Sequence, residues 1–239
     1  MWRPLRDFYI GSFEAALETN RRNILSLVRP EAGTFRRRLL DLGCDDGSWT
    51  VRLAEAAGAT EAHGVELVTE AARAAGDRGI QVRQADLNEA LPYESASFDL
   101  VHSNQVIEHV ADIDLFVSEI RRVLRPGGVA VVSTENGSSW HNIFAAVLGW
   151  QMFSLTNVSG RVAGLGNPLA VHRNASAFSP TWRHRTIMNY RGLIELFQVH
   201  EFENVQIAGA GYYPLPAVTG RLDARHSAFL ALKASTPVA

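Results

Sequence analysis

Apolar residues recur at roughly helical spacing near the start of the chain, at Phe8, Phe13, Leu17, Ile24 and Leu27. This predicts a leading helix over residues 1–30, punctuated by Pro30 and Gly33. From Arg38 the pattern becomes one of short apolar runs alternating with amphipathic stretches. Leu39-Leu40-Asp41-Leu42 predicts a short buried strand that ends in the turn Gly43-Cys44-Asp45-Asp46-Gly47. The helix expected after it carries Trp49, Leu53 and Ala57 on one face and stops at Gly58. Residues 63–67 predict a second strand. Thr69 is placed to cap a helix through Ala75, which Gly76 would terminate. Residues 80–86 alternate with period two and predict a third strand, and 98–104 a fourth. An amphipathic helix over 113–124, closed by the turn Pro126-Gly127-Gly128, leads to a fifth strand at 129–134. That strand is nearly all apolar, as expected when both faces of a sheet are covered. A helix at 190–200 and strands near 205–210 and 229–233 complete the pattern.

Strands alternating with helices argue for a parallel, doubly wound α/β sheet, which binds ligands outside the carboxyl ends of its strands. Residues 136–186 break the alternation. They are rich in Gly, Ser, Asn and aromatic residues and too long for a simple connection, so a functional lid is expected there. The 239 residues suit one domain. Its expected parts are an N-terminal helical cap (1–35), a ligand-binding core (36–135), the lid (136–186) and a C-terminal helix with strands (187–239).

Composition narrows the function classes. A formal charge of −2 supplies no global field for nucleic acid or an anionic membrane. The single cysteine, Cys44, excludes an intramolecular disulfide and a thiolate metal cluster and fits a reducing, cytoplasmic setting. Met1-Trp2-Arg3-Pro4 places charge where a signal peptide would need an apolar run, and the longest apolar stretch is too short to span a bilayer.

The glycine turn carries the chemistry. Gly43 and Gly47 let the backbone pass close beneath a ligand at the start of a helix. A dinucleotide fingerprint would need glycine where Asp45 and Ser48 stand, and it fails at both. Asp41, Asp45 and Asp46 would repel a pyrophosphate but welcome a sulfonium and an ammonium. The segment from Leu39 to Gly47 resembles motif I of class I S-adenosylmethionine-dependent methyltransferases, in the small-molecule, type 11-like branch. It departs from the usual pattern at Asp45, which replaces a glycine; if a positive φ is required there, Asp tolerates it better than most residues. The resemblance extends to Phe98-Asp99-Leu100-Val101 and Leu124-Arg125-Pro126-Gly127-Gly128.

That resemblance implies a Rossmann-like, doubly wound, mostly parallel seven-stranded sheet with the last strand antiparallel and a lid after the fifth strand. It implies S-adenosylmethionine as cofactor, held by Asp41, Gly43, Cys44, Asp45 and Gly47 at the turn. Glu66 and Leu67 would meet the ribose, Asp86 and Leu87 the adenine, and Asn104, Gln105 and His109 the methionine part. Asp99, at the opposite end of its strand, is read as structural.

Methyl transfer needs alignment, exclusion of water and sometimes a base. His109 is one candidate base, or a packing residue beside the cofactor; His184 is a second, or a structural helix-entry histidine. No metal-ligand spacing is recognisable. Between Glu135 and Glu195 there is no Asp or Glu, whereas Arg161, Arg173, Arg183, Arg185 and Arg191 occur. Arg183 and Arg185 are therefore candidate ligands for an anionic acceptor, or members of a solvated basic face. Trp140, Phe144, Trp150, Phe153, Trp182 and Tyr190 add aromatic surface, and Tyr9 lies in a segment expected to close over the site. The expected activity is O-methylation of a small molecule or of a glycan or lipid-linked intermediate by a monomer or homodimer. Nucleic-acid acceptors are not expected, since neither an Asn/Asp-Pro-Pro-Tyr signature nor a basic tract is present. The alternatives are a non-catalytic S-adenosylmethionine-binding protein and an NAD-dependent oxidoreductase.

Overall fold

Strand β1 (Arg38–Leu42) lies centrally, with β2 (Glu61–Glu66) on one side and β4 (Phe98–Asn104) on the other, all parallel. The full seven-stranded sheet runs β3-β2-β1-β4-β5-β7-β6, where β3 is Gln81–Gln84, β5 Leu124–Glu135, β6 Glu203–Ala210 and β7 Phe229–Ser235. Strand β7 is the antiparallel one, and the sheet has the expected Rossmann-like form. The order reverses at β1/β4, so the carboxyl ends of β1 and β4 flank the crevice where such sheets bind ligands. Helices α1 (Arg3–Val28), α2 (Ser48–Ala57), α3 (Thr69–Asp77), α4 (Ile113–Val123), α5 (Trp140–Val147) and α6 (Tyr190–Val199) complete the order. The computed structural model describes residues 3–31, 37–173, 183–213 and 215–238. Trp182, one of the expected aromatic residues, lies outside them.

Two units make up the chain, one of Ile24–Ser133, Ile194–Gln206 and Leu232–Ala239, the other of Met1–Asn23, Thr134–Leu193 and Ile207–Ala231. In the first of these, Leu39, Leu40 and Leu42 of β1, Leu53 of α2, Val65 of β2 and Leu100 and Val101 of β4 are fully buried. Apolar burial of this kind is the main stabilising term. In the second, Ala16 of α1 packs with Ala210, Ala228 and Phe229, and Phe13, Leu17 and Tyr213 cover that cluster. Arg6 of α1 donates to the carbonyls of Ala170, Val171 and Arg173 at 3.3, 3.0 and 3.2 Å, tying the N-terminal helix to the segment between β5 and α6.

Three local expectations are corrected. Thr69 does not cap α3: the cap position is Val68, and the Thr69 hydroxyl instead accepts from Gln84 Nε2 at 2.8 Å. Gly76 lies inside that helix, which runs to Asp77. Nor does Pro126-Gly127-Gly128 separate α4 from β5. Gly127 adopts φ +73° and the strand continues through a bulge, Leu124 pairing with Phe98 and Val129 with Leu100. Two neighbouring bonds hold the bulge, Gly127 N–H to Pro237 O at 3.0 Å and Thr236 Oγ1 to Arg125 O at 2.7 Å.

Candidate active site

The turn after β1 is built from the strand outward. Gly43 and Cys44 N–H both donate to Val65 O, at 2.9 and 3.1 Å, and Gly47 N–H closes the turn on Cys44 O at 2.9 Å. Gly47 has φ +79°, and a Cβ there would stand 2.5 Å from Ile80 Cδ1 and 2.9 Å from the Ala75 Cα. Close packing of the turn against α3 thus demands glycine as firmly as the dihedral does. Asp45 takes φ +47°, the left-handed conformation its sequence position suggested. The Cys44 side chain packs with Ala75 and Ile80, and burial pushes its thiol up to about 12, with the Asp41 and Glu66 charges adding to the effect. It is an inert part of the turn scaffold.

Asp41 sits beneath the turn, 2% exposed. Its carboxylate accepts from Thr50 Oγ1 at 2.5 Å and from His102 Nδ1 at 2.7 Å. It therefore couples β1 to the first turn of α2 and to β4. His102 was missed by the sequence reading. Its signal was a histidine inside an apolar run, directly opposite Asp41 in the parallel register. Asp46 accepts from Ser48 N–H at 3.0 Å and pairs with Arg78 at 3.1 Å. The Ser48 hydrogen bonds chiefly, and Arg78 in addition, hold its carboxyl below the usual value.

Glu66 ends β2 with its carboxylate already oriented. Oε2 accepts from Asp45 N–H at 3.0 Å and Oε1 from Val68 N–H at 2.9 Å, each oxygen keeping further acceptor capacity. Leu67, beside it, is 48% exposed, an apolar surface at a strand end. Beyond β3, Asp86 Oδ1 accepts from the Asn88 backbone and side chain at 2.9 and 2.7 Å. Asn88 in turn accepts from Ala111 N–H at 2.6 Å, joining this loop, with half-buried Leu87, to the one after β4.

The loop after β4 is strained where it matters. Gln105 has φ +57°, and its N–H donates to Ser133 O of β5 at 2.8 Å. Asn104 Oδ1 and Gln105 Nε2 are shielded from solvent yet have no hydrogen-bond partner among the described residues. An unpaired acceptor and an unpaired donor on one loop match the ammonium and carboxylate of an amino acid moiety in kind. His109 is half-buried in a turn closed by its N–H to Val106 O at 2.8 Å. Asp99, by contrast, accepts from Arg37 and Arg38 N–H at 3.0 and 2.7 Å and pairs with Arg125, a structural role at the far end of β4.

In the other unit a cavity of about 50 Å³ is lined by Tyr9, Glu135, His141, Phe153, His184 and Tyr213 among others. His184 is oriented by a polar chain. Asn142 Nδ2 donates to Asn136 O at 2.9 Å and to Ser154 Oγ at 2.8 Å, and Ser154 O lies 2.6 Å from His184 Nδ1. A carbonyl partner requires Nδ1 to carry the proton, which makes Nε2 the proton-accepting nitrogen of the neutral ring. Trp140, Arg183 and Arg185 are exposed and do not line the cavity. Trp140 instead donates to Tyr212 Oη at 2.6 Å and stacks on His226. Of the four expected acceptor residues, Tyr9 alone is brought to this cavity.

Residues 40–132 match the methyltransferase-domain family model. Among curated relatives, the ubiquinone biosynthesis O-methyltransferase of Chelativorans sp. is 36% identical over 102 residues, 41% of this chain and 40% of that protein. The malonyl-[acyl-carrier protein] O-methyltransferase of Erwinia billingiae is 42% identical over 67 residues, 28% of this chain and 26% of its own length. The chain thus spans less than half the length of these relatives. An S-adenosylmethionine-dependent methyltransferase of Thermotoga maritima shares the fold at TM-score 0.60 and 17% identity, covering 98% of this chain and 97% of that one.

Proposed function

We propose that this chain transfers a methyl group from S-adenosylmethionine to an oxygen of a small-molecule acceptor bound in the cavity around Tyr9 and His184. The observation that carries the cofactor half is the open pair Asn104 Oδ1 and Gln105 Nε2 beside the glycine turn, with the Glu66 carboxylate fixed at the next strand end. In this reading Asn104 and Gln105 take the amino acid end of the cofactor, Glu66 the ribose and Asp86 the adenine edge. Bound S-adenosylmethionine supplies an electrophilic methyl on a sulfonium. Residues 136–186 serve as the acceptor-binding lid and 1–35 as a helical cap.

The chain's own contribution to the reaction is placement and proton handling. His184 Nε2 would take the proton of the acceptor hydroxyl as its oxygen accepts the methyl, the broken carbon–sulfur bond leaving its electron pair on the cofactor sulfur. A neutral hydroxyl needs such a base, and the O-methyltransferase names of the relatives support oxygen as the atom. His109 belongs with the cofactor-bordering turn. The acceptor lies against negative rather than positive charge, since the exposed arginines are not in the cavity lining and Glu135 is. Calorimetry with S-adenosylhomocysteine, followed by a radiolabelled-methyl screen of hydroxyl-bearing acceptors, tests the proposal. Binding with Glu66→Ala weakened supports it; a chain that ignores S-adenosylhomocysteine overturns it.

A further inference from the structure

The walls of the cavity are largely aromatic. Tyr9 lies 4.4 Å from Phe153 and 5.3 Å from Tyr213 between ring centroids, and His141 packs against the same group, 4.8 Å from Tyr213 and 5.3 Å from Phe153. Among the described lining residues Glu135 is the one carboxylate, and no Lys or Arg joins it. It forms no ion pair with any described residue. The histidines do not supply the missing charge in full. Burial lowers His141 to about 3 and lowers His172 despite the nearby Glu135. Burial and the same carboxylate keep Tyr9 and Tyr213 protonated.

A half-buried carboxylate in a cavity lined by aromatic rings, with no described Lys or Arg in the lining, can take a cationic partner. The same ring faces carry negative quadrupole potential that attracts an organic cation. We propose that the cavity recognises an acceptor bearing an ammonium group, held over the Tyr9, Phe153 and Tyr213 rings with Glu135 as its counter-charge. This rests on the methyltransferase reading and names its substrate class: a hydroxylated amine or quaternary ammonium compound, in place of the anionic acceptor that the acid-free, arginine-bearing sequence suggested.

Three probes of one shape separate the possibilities: choline, its uncharged isostere 3,3-dimethylbutan-1-ol, and the anion 3,3-dimethylbutanoate. Each is titrated into the full chain with S-adenosylhomocysteine present. Choline should bind about tenfold tighter than the neutral isostere, with the anion weaker than both. Glu135→Gln should bring choline to within about threefold of the neutral compound, Glu135→Asp should retain the preference, and Tyr213→Leu should weaken choline more than the alcohol. Equal or tighter binding of the alcohol or the anion overturns the proposal, as does a choline preference that survives Glu135→Gln or a failure of choline to saturate. S-adenosylhomocysteine binding, read separately on the same preparations, judges the methyltransferase reading independently.

Discussion

Replacing Asp41 by alanine asks whether this acid touches the ligand or supports the turn that does. The wild-type carboxylate satisfies two donors in a site where Asp41 is 2% and His102 1% exposed. Removing it strands the Thr50 hydroxyl and the His102 Nδ1–H, at about 1–3 kcal/mol for each buried donor left unmade. Taking about 4 kcal/mol as the sum, a chain of this length should melt about 8–16 °C lower. S-adenosylhomocysteine affinity should fall with it, because the turn loses its anchor to α2 and β4. Thr50→Val removes one of the donors, so the double variant Asp41→Ala/Thr50→Val should cost less than the sum of the single changes. Thermal unfolding and calorimetry on the same samples provide the readout. If Asp41→Ala abolished ligand binding yet melted within about 2 °C of the wild type, less than 1 kcal/mol would have been lost and the supporting role would be refuted.

Gly47→Ala should destabilise by about 2–5 kcal/mol in urea unfolding, combining left-handed strain with overpacking against Ile80 and Ala75. Asp45→Gly should relieve its positive φ and keep S-adenosylhomocysteine binding within about threefold, since the Glu66 bond is to the backbone N–H. His184→Ala should lower kcat by about a hundredfold or more with folding intact; a loss below about threefold would remove it as the base. Burial holds His141 at about 3 in the folded chain against 6.5 in the unfolded one, so the unfolded state binds the extra proton between those values. Stability should therefore fall as pH drops through that window, by up to about 1.4 kcal/mol per pH unit from this group. His141→Phe should flatten that part of a pH series of melting temperatures.

The cofactor side of the chain was legible because its signals are local. A strand, a glycine turn and a helix follow one another within Leu39–Ala57, and Asp45 declared its dihedral by standing at a glycine position. Glu66 and Asp86 were readable as strand-end acids at the right intervals. What local pattern hid was pairing across strands: Asp41 stands opposite His102 in the β1/β4 register and bonds to it. Thr69 looked like a cap because cap chemistry is judged from neighbours, and Gln84, which claims its hydroxyl, comes from the next strand. The aromatic-lined cavity was the least legible part. Tyr9, Glu135, Phe153, His184 and Tyr213 lie far apart in sequence, and no periodicity links them. The arginines that attracted attention were adjacent in sequence to His184 but stand exposed, outside the lining.

In the proposed function, the acids and unpaired amide groups at the strand ends select S-adenosylmethionine over NAD. Titration of the chain with S-adenosylhomocysteine and, separately, with NAD tests it most directly. Saturable binding of S-adenosylhomocysteine is expected, weakened at least about tenfold by Glu66→Ala through the loss of charged hydrogen bonds, with no saturable binding of NAD. Saturable NAD binding, with S-adenosylhomocysteine inert, would contradict it.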